Sequence, residues 1–249
     1  MRELEGASVI VTGAASGIGH AQAELFLQEG SFVFGGDIND NDAVTNLRKR
    51  FPQTFCFMHC DVTDPVQVRQ FADAALHFHG CDILLNTAGI LDAYTPTLDT
   101  TEELWDRVMN TNLKSIFRLT NAVLPSMLER GSGVIINMAS IAGLVAGGGG
   151  AAYTSAKHAI IGYTKQLDYD YAARGIRALS IAPGAINTPM NAADFAGDAH
   201  MARQVAAETP AGRWARPEEV ADLTLFLASP RADYIHGACI PIDGGWIEK

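Results

Sequence analysis

Seven short stretches of the chain are almost wholly apolar, at 8–12, 32–37, 54–60, 83–86, 133–139, 177–182 and 239–242, and each has the length of a strand. Helical patterns lie between them at 17–29, 41–51, 65–79, 101–129, 153–174 and 217–228, with a looser helical segment within 190–208. Strands alternating with helices predict a parallel sheet joined by right-handed crossovers. The expected architecture is α/β: a doubly wound, seven-stranded parallel sheet with helices on both faces, folded as one domain over 1–249. Asp64 before Pro65 supplies a capping side chain ahead of a proline at the first helical position, and ARPEEV repeats the device at Pro217. No repeat or linker-like composition interrupts the pattern. The one low-complexity patch, AGLVAGGGGAAY at 142–153, is either a flexible connection or a backbone that passes close to a substrate.

Composition narrows the class. At 249 residues the chain is about the size at which a single core stops growing, and 48% hydrophobic against 18% charged residues suits a deeply buried sheet. The net charge of −10 and the absence of any basic run beyond RKR at 48–50, read as the solvated end of a helix, count against a nucleic-acid partner. Cys56, Cys60, Cys81 and Cys239 form no CxxC pair and no zinc spacing, so buried, reduced thiols and a cytoplasmic location are expected. No signal-peptide pattern opens the sequence, and no apolar stretch reaches the ~18 residues of a membrane span.

The segment VIVTGAASGIGHAQAELFLQEG carries the first chemistry. A strand, a turn with Gly13, Gly17 and Gly19, and a helix opening near Gly17 gather backbone N–H groups and the positive end of a helix at one point. That is a site for a pyrophosphate, where a Cβ would hold the anion away and one turn position needs φ > 0. Asp37 ends the second strand about 20 residues past Gly17, the interval at which a carboxylate accepts hydrogen bonds from a dinucleotide ribose. Between Gly35 and Leu47 there is no Lys or Arg, whereas Asp37, Asp40 and Asp42 are present, so a 2′-phosphate meets negative charge and NAD is expected over NADP.

TGAASGIG resembles the TGxxxGxG motif of the short-chain dehydrogenase/reductase family, and the resemblance continues along essentially the whole chain. CDVTD is similar to the family's adenine-contacting segment, NTAG at 86–89 to its NNAG with Thr87 as a departure, and NTNLKS, INMASIAG and YTSAK to the segments that carry its catalytic groups. PGAINTPM and IPIDGGW resemble its nicotinamide-contacting segment and its C-terminal strand and turn. The resemblance implies a Rossmann-type fold and a catalytic set of Asn112, Ser140, Tyr153 and Lys157. It further implies cofactor contacts at Gly13, Ser16, Gly17, Ile18, Gly19, Asp37, Ile38, Asp61, Val62, Asn86, Ala88, Gly89, Tyr153, Lys157, Pro183, Gly184, Ile186 and Thr188, with the Ile186 backbone and the Thr188 hydroxyl on the carboxamide. No metal is required.

Tyr153 and Lys157 are four residues apart and share one helix face. A tyrosine with an ordinary pKa near 10 is a poor base at neutrality, and a nearby ammonium together with an oxidised nicotinamide favours its phenolate. Ser140 ends an apolar strand and can bond the substrate oxygen, and in the family the kinked backbone at Asn112 holds a water that joins Lys157 to solvent. The expected reaction is direct hydride transfer between a substrate carbon and the nicotinamide, with Tyr153 giving or taking the hydroxyl proton. A secondary alcohol or polyol and its ketone is the expected substrate. Open alternatives are a 3-oxoacyl thioester on acyl carrier protein, for which Arg130 and Arg174 are available bases, and a non-catalytic NAD-binding module. The segment 189–214 resembles a mobile lid, in which Met190, Phe195 and Met201 either close on substrate or pack a helix. Relatives pair the helices at 101–129 and 153–174 across a two-fold axis, which implies a homo-oligomer, with a tetramer favoured.

Overall fold

Every residue of β1 (Ser8–Thr12) is buried, because helices cover both faces of the sheet to which it belongs. Val9 and Val11 turn to one face and join a cluster with Phe26 and Leu27 of α1 (Gly17–Gln28) and Val220 and Leu227 of α8 (Pro217–Ala228). Ile10 turns to the other face, against Phe71 of α3 (Pro65–Phe78) and Val123 and Met127 of α5 (Ser115–Arg130). This alternation along one strand places two apolar layers back to back. The structure is a computed structural model and describes residues 3–248.

The remaining strands are β2 (Phe32–Asp37), β3 (Phe55–His59), β4 (Ile83–Asn86), β5 (Gly133–Met138), β6 (Ile176–Pro183) and β7 (Cys239–Ile242). They pair in parallel in the order β3-β2-β1-β4-β5-β6-β7. The winding reverses between β1 and β4, so the loops leaving their carboxyl ends flank the crevice where ligands of such sheets bind. The other helices are α2 (Asp42–Arg50), α4 (Glu102–Met109), α6 (Ala151–Tyr171) and α7 (His200–Glu208).

Local chemistry sets most boundaries. The Asp64 side chain accepts from the Val66 and Gln67 N–H groups, as its place before Pro65 predicts. At Pro217 the device differs: Arg216 supplies no side-chain cap, and Glu219 reaches back to the Arg216 N–H while pairing with Arg213. The helix expected over 101–129 is interrupted by a π-helical turn at Asn110–Lys114, which divides it into α4 and α5. The thiols are all free; Cys60 and Cys81 are buried, but Cys56 and Cys239 are only half-buried, since β3 and β7 are the two edge strands. Among the described residues no helix is long and apolar enough to cross a membrane.

Candidate active site

The three glycines after β1 meet three different demands. Gly13 and Gly17 take φ values of 74° and 53°, the left-handed region, where one such position was expected. A Cβ on Gly19 would lie 2.2 Å from the Gly13 carbonyl oxygen, so the third glycine lets α1 close against the strand. Ser16 precedes α1 in extended backbone without a side-chain cap, and Gly17, Ile18 and the rest of the first turn carry no acid. The positive end of α1 is left for an outside anion.

Asp37 faces that turn. Its carboxylate accepts from the Ala15 N–H at 3.1 Å and, through its other oxygen, from the Asn39 N–H at 3.0 Å; Ile38 beside it is exposed. Arg48, just outside the base-free window, folds back in a two-point ion pair with Asp40 at 2.8 and 2.9 Å. Beyond β3 the Asp61 carboxylate accepts from both the Thr63 N–H and its hydroxyl, and Val62 is buried beside it.

After β4 the Thr12 hydroxyl accepts from the Thr87 and Ala88 N–H groups, tying the two crevice loops together. Thr87 has a role of its own: it donates to Gln22, which donates in turn to Thr224 of α8. The Asn86 side chain is turned inward, donating to Asn137 and Thr120. Farther along, the Gly184 N–H donates to the Ile242 carbonyl, just past Pro183 at the end of β6, and the Ile186 carbonyl accepts from Asn191. Thr188 packs against the N-terminus of α1, 3.3 Å from where a Gly17 Cβ would stand.

The four candidate catalytic residues converge at the carboxyl end of β5. Asn112 is fully buried in the π-helical turn and both accepts from the Ile90 N–H at 2.8 Å and donates to the Ile90 carbonyl at 2.9 Å. That two-point bond to the β4 loop explains why the helix breaks there. Gly89 leaves room between Asn112 and the Lys157 ammonium; a Cβ on it would stand 3.2 Å from Asn112 Oδ1 and 3.8 Å from Lys157 Nζ. Ser140 follows β5, is buried, accepts from the Ala142 N–H, and its hydroxyl acts to lower the Tyr153 phenol. Lys157 Nζ donates to the Met138 carbonyl at 2.7 Å and lies 5.3 Å from the centre of the Tyr153 ring.

Burial dominates the electrostatics of this pair. It pushes the Tyr153 phenol up to about 12, with the Ser140 hydroxyl pulling the other way and Tyr94 and Asp92 adding to the rise. Burial alone brings Lys157 down to about 7. The lowered phenol expected beside an ammonium is therefore not built into the chain's own groups.

In the glycine run at 147–150 packing accounts for the last two residues. A Cβ on Gly149 would lie 2.5 Å from the Tyr153 ring, and one on Gly150 would lie 2.4 Å from the Thr95 carbonyl oxygen. In the segment 189–214, Phe195 stacks obliquely on Trp214 at 4.9 Å while Met190 and Met201 are exposed, so packing is the role of Phe195 only.

A family model described as enoyl-(acyl carrier protein) reductase, adh_short_C2, matches residues 13–247. The chain belongs to the short-chain dehydrogenase/reductase family. It is 39% identical to the 3-oxoacyl-(acyl-carrier-protein) reductase FabG of Thermotoga maritima, over 98% of this chain and 99% of that protein. It is 37% identical to a cyclopentanol dehydrogenase of Comamonas sp., over 96% of each. A crystal structure described as an NAD(P)-dependent gluconate 5-dehydrogenase from Beutenbergia cavernae, with NADP bound at low occupancy, superposes with a TM-score of 0.92 at 33% identity, covering 100% of this chain and 99% of that one. The protein is thus a short-chain dehydrogenase/reductase oxidoreductase acting on hydroxyl or keto groups, and the family uses nicotinamide cofactors.

The crevice suits such a dinucleotide. An uncapped helix end, two left-handed glycines and a carboxylate at the tip of β2 are the features a pyrophosphate and a ribose require. Sequence reasoning passed over two groups that the fold brings in. Arg48 reaches the loop after β2, and Asp92, buried between β4 and α4, bonds the first turn of α6. The first was detectable as a base eight residues beyond Asp40, on the helix that follows it, whereas nothing local marked the second.

Proposed function

We propose that the protein is an NAD(H)-dependent oxidoreductase that interconverts a secondary alcohol or polyol with its ketone by direct hydride transfer, with Tyr153 as the acid–base group. One observation carries the reading: Tyr153, Ser140, Lys157 and Asn112, drawn from three separate elements, meet at the crevice end of β5, with Ser140 acting on the phenol and the lysine against its ring. When bound, the nicotinamide supplies the hydride acceptor or donor. Tyr153 exchanges the proton at the substrate oxygen, and Ser140 donates a hydrogen bond to that oxygen as charge develops. Lys157 holds the nicotinamide ribose, while Asn112 fixes the β4 loop behind it. Asp37 favours NAD because a 2′-phosphate there faces a carboxylate, and the nearest base, Arg48, is already paired with Asp40.

The second reading, a ketoreductase for 3-oxoacyl groups on acyl carrier protein, is favoured by the 39% identity to FabG. Arg130 and Arg174 do not support it. Arg130 ends α5 and pairs with Asp82, and Arg174 lies just before β6 against Tyr171, both at the amino end of the sheet, away from the crevice. The cyclopentanol dehydrogenase relative supports the alcohol reading, as does the segment between Ser140 and Tyr153, which bears no charged residue. The segment 189–214 serves as lid, and the chain forms a homo-oligomer, a role suited by exposed Phe117 on α5 and Tyr169 on α6.

The test is absorbance at 340 nm with NAD or NADP and a panel of secondary alcohols, polyols and hydroxyacids, then ketones and oxoacyl thioesters with the reduced cofactors. Turnover with NAD and a secondary alcohol is the expected result. Tyr153→Phe is expected to lose about 1,000-fold or more in kcat while NADH still binds. NAD binding without turnover on any substrate would overturn the catalytic reading in favour of a binding module.

A further inference from the structure

Asp92 lies in the loop after β4, is 1% exposed, and has no place in the reaction described above. Its carboxylate is fully engaged by backbone. One oxygen accepts from the Gly150 N–H at 2.8 Å and the Tyr94 N–H at 3.2 Å, and the other accepts from the Tyr153 N–H at 2.9 Å. Helix α6 begins with a glycine at its cap and has no side-chain cap of its own. The orphan donors of its first turn are met from across the site: Gly150 and Tyr153 by Asp92, and Ala151 by the Thr95 carbonyl at 3.1 Å. Tyr153 is the third residue of that turn, so its backbone is held directly by the acid.

The loop is built for this contact at a conformational cost. Ala93 and Tyr94 are consecutive non-glycine residues in the left-handed region, with φ of 54° and 57°. The docking also requires Gly150, because a Cβ there would lie 2.6 Å from Asp92 Oδ2. A cap that served only α6 could be supplied by a serine or aspartate at position 150. Here the cap comes from the loop that also carries Tyr94, and it sets a carboxylate against the Tyr153 backbone.

We propose that Asp92 is a positioning residue for the reaction, fixing the Tyr153 phenol through the first turn of α6. The inference rests on Tyr153 being the acid–base group. The groups facing that phenol are Lys157 from α6, Ser140 from the end of β5, and Tyr94 and Asp92 from the β4 loop; α4 presents the apolar Leu104, Val108 and Met109. Burial raises the Tyr94 phenol, with the charges of Asp194 in the lid segment and of Asp92 adding to the rise. Asp92 is thus an anion that opposes the phenolate, and its loss moves the Tyr153 ionisation to lower pH.

The experiment compares wild type, Asp92→Asn, Gly150→Ala and Tyr153→Phe in kcat, NADH affinity by fluorescence, and the pH dependence of alcohol oxidation. Asp92→Asn keeps the shape but loses the charge and one acceptor. It is expected to lower kcat roughly 10-fold to 100-fold, leave NADH affinity within about 2-fold, and move the rising limb of kcat/KM to lower pH. Gly150→Ala, which displaces the loop while keeping the carboxylate, is expected to lower kcat similarly at unchanged NADH affinity, and it decides the matter if Asp92→Asn does not fold. A folded Asp92→Asn with wild-type kcat, or with reduced kcat and an unmoved limb, overturns the proposal, as does a fully active Gly150→Ala. If Tyr153→Phe retains turnover, it is the acid–base assignment itself that has failed.

Discussion

Replacing Lys157 by methionine removes an ammonium from a buried position where it donates to the Met138 carbonyl and where no carboxylate among the described residues pairs with it. Burial lowers this lysine from 10.5 to about 7, a difference worth about 5 kcal/mol against the charged folded state. The lost hydrogen bond from a charged donor offsets about 3 kcal/mol of that, so the variant is expected to gain about 2 kcal/mol near pH 6. For a chain of this size that raises Tm by about 4–8 °C. The folded pKa lies below the unfolded one, so the unfolded chain holds the extra proton between about pH 7 and 10.5 and wild-type stability climbs with pH across that window. The penalty is complete below pH 7, shrinks by about 2 kcal/mol by pH 8.5, and the two melting curves should nearly coincide there. Circular dichroism melts of both proteins, without added nucleotide, at pH 6 and 8.5 make the comparison. A variant that melts below wild type at pH 6, or an offset that ignores pH, refutes the view that the site holds its lysine against the cost of burial. Turnover should be lost in the same variant, which would mark the lysine as a residue kept for function at the expense of stability.

Two further substitutions probe the crevice. Gly19→Ala would put a Cβ 2.2 Å from the Gly13 carbonyl oxygen, a backbone atom that cannot rotate away, and is expected to cost about 3 kcal/mol or more in urea unfolding; a near-wild-type midpoint would refute the packing role. Asp37→Ser removes the carboxylate at the tip of β2 and is expected to raise the KM for NAD about 10-fold while narrowing its margin over NADP, and unchanged ratios would remove Asp37 from cofactor choice.

Much of the fold was legible from pattern. β1, β2, β4 and β7 begin and end where their apolar runs do; in the inner strands β1, β2 and β4 burial on both faces leaves a continuous apolar run whose ends are set by a polar residue. The start of α3 was legible from Asp64 and Pro65 alone. The unbroken helix over 101–129 was not: α4 and α5 are each good helices, and the break comes from the bond of Asn112 to the Ile90 backbone, 22 residues away. The packing need of the glycine run was not legible either, since Gly149 and Gly150 make room for the Tyr153 ring and for Thr95.

For the candidate site, the residue types and their order along the chain were fixed locally. A glycine turn before a helix, an acid closing the second strand, and a tyrosine four residues from a lysine are short-range relations, and the period of strand or helix places them with no knowledge of the rest. What only the tertiary structure decided is which groups stand beside them. Asp92 reaches Tyr153 across 61 residues, Thr87 reaches Gln22 across 65, and burial from every side moves Lys157 down and Tyr153 up. Hydrogen bonds and desolvation depend on distance in space, and a doubly wound sheet brings together loops that the sequence holds far apart.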